Sequence, residues 1–256
     1  MGGLTDPIVR VEDLTAAFGE TVIFRDVAFE IRRGEIFAIL GGSGCGKSTL
    51  LKLMIGLKRP ARGRVFIGGD ELVAAEGVAR DRILRRFGVM YQSGALFGSM
   101  TLLENVRLPL EEFTDLPDAA IDLISRMKLK LVGLEAAADK MPSEISGGMA
   151  KRAAIARAMA LDPEILFLDE PSAGLDPVTS AELDRLILQL SRSLNVTFVI
   201  VTHELASIEA IADRVIMLDK EAKTIIASGN PRALKETSED ARVRRFFLRE
   251  LEAATG

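Results

Sequence analysis

The sequence predicts an α/β fold whose main sheet is covered on both faces, joined to a smaller antiparallel part. Three observations predict it. Residues 35–40 form an apolar, β-branched run that enters a glycine-rich turn and then STLLKLMIGL, the order strand, loop, helix that opens an α/β unit. Two later runs, ILFLD at 165–169 and VTFVIVT at 196–202, are almost continuously apolar, as parallel strands buried on both sides are. Upstream, TVIFRDVAFEI alternates apolar and polar residues, the pattern of antiparallel strands with one wet face.

Helical stretches such as PVTSAELDRLILQLSRSL separate the buried strands, which completes the alternation of an α/β fold. Residues 93–161 differ, because helix-forming sequence dominates there and strand signals are few. They are expected to form a helical lobe inserted into one domain spanning 1–230. The stretch 231–256 is polar with a basic centre at Arg242, Arg244 and Arg245, and is expected to be a terminal helical extension. There is no internal repeat.

The bulk numbers narrow the function classes. A chain of 256 residues that is 48% hydrophobic is expected to bury a sizeable core. Its net charge of −4 gives no general electrostatic reason to bind nucleic acid. No apolar run approaches the roughly 18 residues of a membrane-spanning helix, and the opening MGGLTDPIVR lacks the apolar core of a secretory signal. Cys45, the single cysteine, excludes an intrachain disulfide and suits a reducing compartment.

Gly41-Gly42-Ser43-Gly44-Cys45-Gly46-Lys47-Ser48 matches G-x-x-x-x-G-K-[ST] and lies between one strand and one helix, the context this motif requires. Glycines let the backbone curve round an anion so that several N–H groups point inward at phosphate oxygens. The helix starting near Lys47 adds the positive end of its dipole. Lys47 is expected to reach the outer phosphates as a point charge and Ser48 to ligate Mg²⁺. Cys45 fills a small position, where only its backbone need meet the nucleotide.

The apolar strand ILFLD-Glu170 delivers two acids at its carboxyl end, where open α/β sheets place their ligands. Strand alternation would point Asp169 and Glu170 apart and allow two roles. Asp169 is placed to hold the magnesium shell opposite Ser48, and Glu170 to polarise an attacking water.

At Ile145-Ser146-Gly147-Gly148-Met149, followed by AKRAAIARAMALDP, the chain resembles the signature motif of the ABC ATPase family. Ser146 and its glycines make a second helix start with exposed N–H groups, a phosphate site without a lysine. The resemblance covers about residues 7–230 and implies a P-loop NTPase ABC domain: a RecA-like mixed sheet core, an antiparallel β subdomain and the inserted helical subdomain. It implies that Gly41 through Gly46, Lys47, Ser48 and Thr49 bind ATP. It also implies that Ser146, Gly147, Gly148 and Met149 of one copy close over the nucleotide held by another, so that the working unit is a dimer. Met149 stands where the family usually has glutamine, and a thioether accepts hydrogen bonds only weakly.

The remaining landmarks fall in the family's order. Gln92, after GVMY, resembles the Q-loop glutamine that senses magnesium and water. Ser172-Ala173-Gly174-Leu175-Asp176 resembles the D-loop that crosses the dimer interface. His203, the only histidine, resembles the switch histidine that contacts the terminal phosphate, and Phe18 the aromatic that stacks on adenine, where the family more often has tyrosine. Implied catalytic residues are thus Glu170, His203, Gln92 and Lys47, with Ser48, Gln92 and Asp169 around Mg²⁺.

Within the family, YQSGALF with TLLENVRLPL, ISGGMAKRAAIARA and the tail DARVRRFFL look like the ATPases of the Mla and mammalian-cell-entry (MCE) systems, which move phospholipids or other lipids between bacterial membranes. That resemblance implies a second copy of the chain, an integral membrane permease, an MCE-type lipid-binding protein and an accessory subunit as partners. It places the chain peripherally on the cytoplasmic face of the inner membrane. The SGALFGSM loop is where the family docks a coupling helix of the permease, unless Leu96 and Phe97 fold into the lobe's own core. Rival readings are the same engine on another importer or exporter, an ABC ATPase acting on nucleic acid or ribosomes, and a regulatory module that binds ATP without hydrolysing it.

Overall fold

The computed structural model describes residues 7–248. Residues 1–6 of the opening stretch and 249–256 of the terminal extension lie outside the described residues. The chain divides into two compact units, one holding residues up to Leu84 and from Val199 on, the other Arg85–Phe198.

In the first unit, β1 (Val9–Phe18) and β2 (Thr21–Ile31) form a hairpin, with Val9 opposite Ile31 and Phe18 opposite Thr21. β3 (Ile36–Gly41) is buried throughout and runs into the glycine turn and α1 (Lys47–Met54). β4 (Arg62–Ile67) pairs antiparallel with β1 and is followed by the short β5 (Asp70–Glu71), giving the order β2-β1-β4-β5. α2 (Gly77–Leu84) closes this half of the unit. No expectation covered α2, because its only buried residue is Ile83 and it lacks an apolar stripe.

The second unit begins with β6 (Phe87–Met90), then α3 (Leu102–Phe113), α4 (Asp118–Leu131), α5 (Gly147–Ala158), β7 (Ile165–Asp169) and α6 (Pro177–Leu194). β6 and β7 run parallel, Phe87 beside Ile165 and Met90 beside Leu168. α3 starts on a capping box: Glu104 N–H donates to Thr101 Oγ1 at 3.2 Å and Thr101 N–H to Glu104 Oε2 at 2.7 Å, which satisfies two helix-end donors. β8 (Thr197–Val201) is divided between the units. Its first residues follow β7, where Thr197 N–H donates to the Glu164 carbonyl at 3.0 Å.

Back in the first unit, β8 leaves beside β3, with Thr202 N–H donating to the Ile39 carbonyl at 3.4 Å. α7 (Leu205–Ile211), β9 (Arg214–Asp219) and β10 (Thr224–Gly229) follow. β9 runs parallel to β3 and antiparallel to β10, so the sheet is mixed. An ion pair fixes the β3–β9 register: Arg214 grips both Glu35 oxygens at 2.7 and 2.9 Å, a bidentate fork about twice as strong as a neutral hydrogen bond. Glu35 is nearly buried, so the guanidinium is what makes its charge tolerable there.

The stretch after residue 230 contains α8 (Pro231–Thr237) and α9 (Ala241–Leu248). Val243 and Phe247 of α9 are buried against Leu40, Leu205, Ile208 and Met217. Its basic centre is largely compensated: Arg242 donates to Asp219 and Asp240, and Arg244 to the Ser238 and Glu239 carbonyls.

Candidate active site

The glycine turn of the first unit is shaped by positive φ angles that residues with a Cβ rarely adopt, 144° at Gly41, 76° at Gly44 and 102° at Gly46. Gly46 lies so close to the hairpin that a Cβ on it would stand 2.8 Å from Ile23 and 2.9 Å from Phe24 of β2. Lys47 opens α1, and its Nζ donates to the Gly41 carbonyl at 2.7 Å and the Gly42 carbonyl at 3.1 Å. Gly42, Ser43, Gly44 and Ser48 are exposed, Lys47 and Thr49 half-buried. Cys45 is buried beneath them; burial pushes its thiol above the ordinary range, against the lowering pull of the Lys47 charge.

Two more sequence-assigned residues belong to this unit. Phe18 closes the hairpin that carries Ile23 and Phe24, with its ring 47% exposed and the Lys58 ammonium 4.1 Å from its centroid, a cation–π contact. His203 is exposed on the turn between β8 and α7, at the same sheet end where β3 enters the glycine turn.

The second unit holds the others. β7 ends at Asp169, and Glu170 follows in a left-handed conformation with φ 48°. Glu170 thus lies past the strand on a left-handed backbone, whereas the expectation treated both acids as alternating strand residues. Gln92 is exposed two residues beyond β6. Ser146 caps α5, accepting from Met149 N–H at 3.2 Å, and Gly148 is buried. Asp176 caps α6: its Oδ1 accepts from Val178 and Thr179 N–H, both at 3.0 Å, and hydrogen bonds from Thr179 hold its carboxyl below the usual range.

Sequence reasoning missed two cations on α5. Lys151 donates to the Gln92 carbonyl, and Arg157 donates to the Gly94 and Ala95 carbonyls at 3.0 and 2.8 Å. Together with Asn105, which accepts from Phe97 N–H at 2.8 Å and donates to its carbonyl at 3.1 Å, they define the path of the loop at residues 93–100. Leu96 is half-buried and Phe97 49% exposed, so the phenylalanine ring stays outside the lobe's core.

A glycine turn feeding a helix, a strand ending in two acids and a second, serine-capped glycine helix start are the parts of a nucleoside-triphosphate-hydrolysing protein of the P-loop class. Residues 24–173 match the family described as ABC transporter. The chain is 43% identical over 239 residues to the probable ribonucleotide transport ATP-binding protein mkl of Mycobacterium leprae, covering 93% of this chain and 68% of that one. It spans 66% of the Mycobacterium tuberculosis mkl. It is 41% identical over 241 residues to the intermembrane phospholipid transport system ATP-binding protein MlaF of Escherichia coli, covering 94% and 88%. Among solved structures, the ATP-binding cassette MJ0796 in a dimeric post-hydrolysis state with ADP and Pi superposes with a TM-score of 0.77 at 30% identity, covering 87% and 98%. The cbiO1 subunit of Clostridium perfringens gives 0.81 at 29%, covering 96% and 100%. The chain belongs to the ABC transporter family and is an ATPase.

Proposed function

We propose that the chain is the ATP-hydrolysing subunit of a bacterial transporter that moves phospholipid or a related lipid between membranes. One observation carries the engine: a single polypeptide holds two glycine-rich helix starts suited to anions but of different chemistry, the lysine-bearing start of α1 and the lysine-free Ser146–Gly147–Gly148 start of α5. One nucleotide does not need both, so the second is read as serving another copy's ATP. The lipid cargo is supported by the 41% identity to MlaF, of which the chain spans 88%. We read residues 1–230 as the ATPase domain, 93–161 as its helical insert and 231–256 as an extension.

In this reading residues 41–49 cradle the phosphates and Lys47 exchanges its loop carbonyls for phosphate oxygens. Phe18 stacks on adenine. Ser48, Gln92 and Asp169 offer hydroxyl, amide and carboxylate oxygens, the hard donors Mg²⁺ takes, and would hold it. Bound Mg²⁺ supplies charge neutralisation at the outer phosphates. Glu170 orients and polarises the attacking water, His203 steadies the terminal phosphate, and Asp176 faces the dimer interface. Positioning and charge do most of the work in phosphoryl transfer, so these residues form a nearly complete set. Two copies close over two ATP molecules, and hydrolysis lets them part and drives the partner.

Among the described residues no helix is long and apolar enough to cross a membrane. The reading therefore assigns the span to a permease docked at residues 93–100 and places this chain on the cytoplasmic face of the inner membrane, with an MCE-type protein and an accessory subunit in the same assembly. Glu170→Gln is expected to lower the ATPase rate at least about 100-fold while nucleotide still binds; equal rates would refute the catalytic assignment. Lipid analysis of the purified complex tests the cargo. Phospholipid recovered in proportion to the complex is the expected result, and a ribonucleotide in its place would favour the cargo that the 43% identity to mkl suggests.

A further inference from the structure

Lys151 is a buried cation that the chemistry above does not use. It lies on α5, five residues after Ser146, and is 7% exposed. Its Nζ donates to the Gln92 carbonyl and, at 3.4 Å, to the Glu170 carbonyl. Burial lowers its pKa, opposed by the attraction of the Glu170 and Asp169 carboxylates.

A helix does not need a buried ammonium. Desolvating one is costly, and an apolar side chain of similar length would fill the same volume at less expense in solvation. What it would not do is donate to two carbonyls from segments 59 residues earlier and 19 residues later in the chain. The Glu170 carbonyl also accepts from Ala173 N–H at 3.2 Å, so that peptide is held from two sides. A glutamate at φ 48° persists only where its surroundings impose the conformation, and the direction of its side chain follows from it.

We propose that Lys151 is a positioning residue for hydrolysis, whose ammonium fastens the peptides of Gln92 and Glu170 to the helix headed by Ser146. The water-polarising carboxylate and the serine–glycine turn then keep one fixed relation. The proposal rests on the reading of Glu170 as the group that polarises water. Lys151 acts through Glu170 and Gln92 and makes no contact with the nucleotide.

The test is steady-state hydrolysis by the full-length chain, with binding of a fluorescent ATP analogue and thermal melting measured alongside. Lys151→Met is expected to lower kcat by about tenfold or more, as small misplacements of catalytic groups do. KM and analogue affinity should stay within about twofold of wild type. Lys151→Arg, which keeps charge and donors, should restore at least about half of kcat. If Lys151→Met does not fold, Lys151→Ala is read by the same numbers. Glu170→Gln is run in parallel: if it loses activity while the Lys151 variants turn over like wild type, the positioning role is overturned and the catalytic reading stands. If Glu170→Gln hydrolyses normally, both fall. A loss that appears in KM and binding together with kcat and that arginine does not restore would mark a packing role and overturn the proposal.

Discussion

A Cβ placed on Gly41 would stand 2.4 Å from the carbonyl oxygen of Leu218, its register partner across β3 and β9. The same atom would lie 2.5 Å from the Cys45 sulfur. Neither neighbour is the free end of a flexible side chain. One is backbone within a parallel sheet, the other is buried in the turn.

Gly41→Ala is therefore expected to push β3 from β9 and open the glycine turn. With φ at 144°, strain adds to the clash. Stability should fall by about 2–4 kcal/mol, and nucleotide binding should be lost. Thermal unfolding and titration with a fluorescent ATP analogue check both. Unchanged melting with intact binding would mean that β9 yields.

Gly148 meets a different wall. A Cβ there would be 2.4 Å from Thr179 Cγ2, and Thr179 cannot turn away freely because its hydroxyl donates to Asp176 at 2.5 Å. Gly148→Ala should thus pry α5 from α6 at a cost of about 1–3 kcal/mol. Thr179→Ser deletes the obstructing methyl and keeps the hydroxyl. The double variant should recover most of the loss, and a double-mutant cycle by denaturant unfolding reads the coupling. Strictly additive losses would show that the two positions do not meet.

Asp240 gives a pH dependence. Its hydrogen bonds from the Arg242 side chain and backbone lower its carboxyl to about 2. A depressed folded-state pKa contributes stability that is fully present above the unfolded value near about 3.9 and is lost as pH falls through the folded one. Melting temperature should accordingly drop between pH 4 and pH 2 more steeply in the wild type than in Asp240→Asn, which keeps the shape and removes the titration. The pair lies near the surface, so the difference should be small and shrink in high salt. Parallel curves would contradict the assignment.

The parts of the site that could be read from the sequence are those whose chemistry is local. The glycine turn, the two acids closing ILFLDE and the serine-headed ISGGM are each contiguous, and each implies its own strand or helix. β3 starts at Ile36, one residue after the apolar run at 35–40 begins, which is of no consequence to them. What eluded sequence reasoning depends on segments distant in the chain. Gly88 lacks the Cβ that would lie 1.9 Å from the Ala158 carbonyl oxygen, which allows β6 and α5 to approach closely, and no local pattern announces that. Lys151 and Arg157 are charged residues of the kind that usually face solvent, yet both donate to carbonyls at residues 92–95. The left-handed Glu170 follows from no local preference, since glutamate rarely adopts that conformation.

The placement of the only sulfhydryl gives the protein a built-in reporter. Cys45 is 1% exposed and burial raises the pKa of its thiol, so alkylating reagents should modify the folded chain slowly. Whatever labelling does occur measures how often the turn around it comes apart, and its rate converts to a local opening free energy. With no second thiol to confuse the signal, the looseness of the glycine turn could be followed in unaltered protein, with no engineered probe.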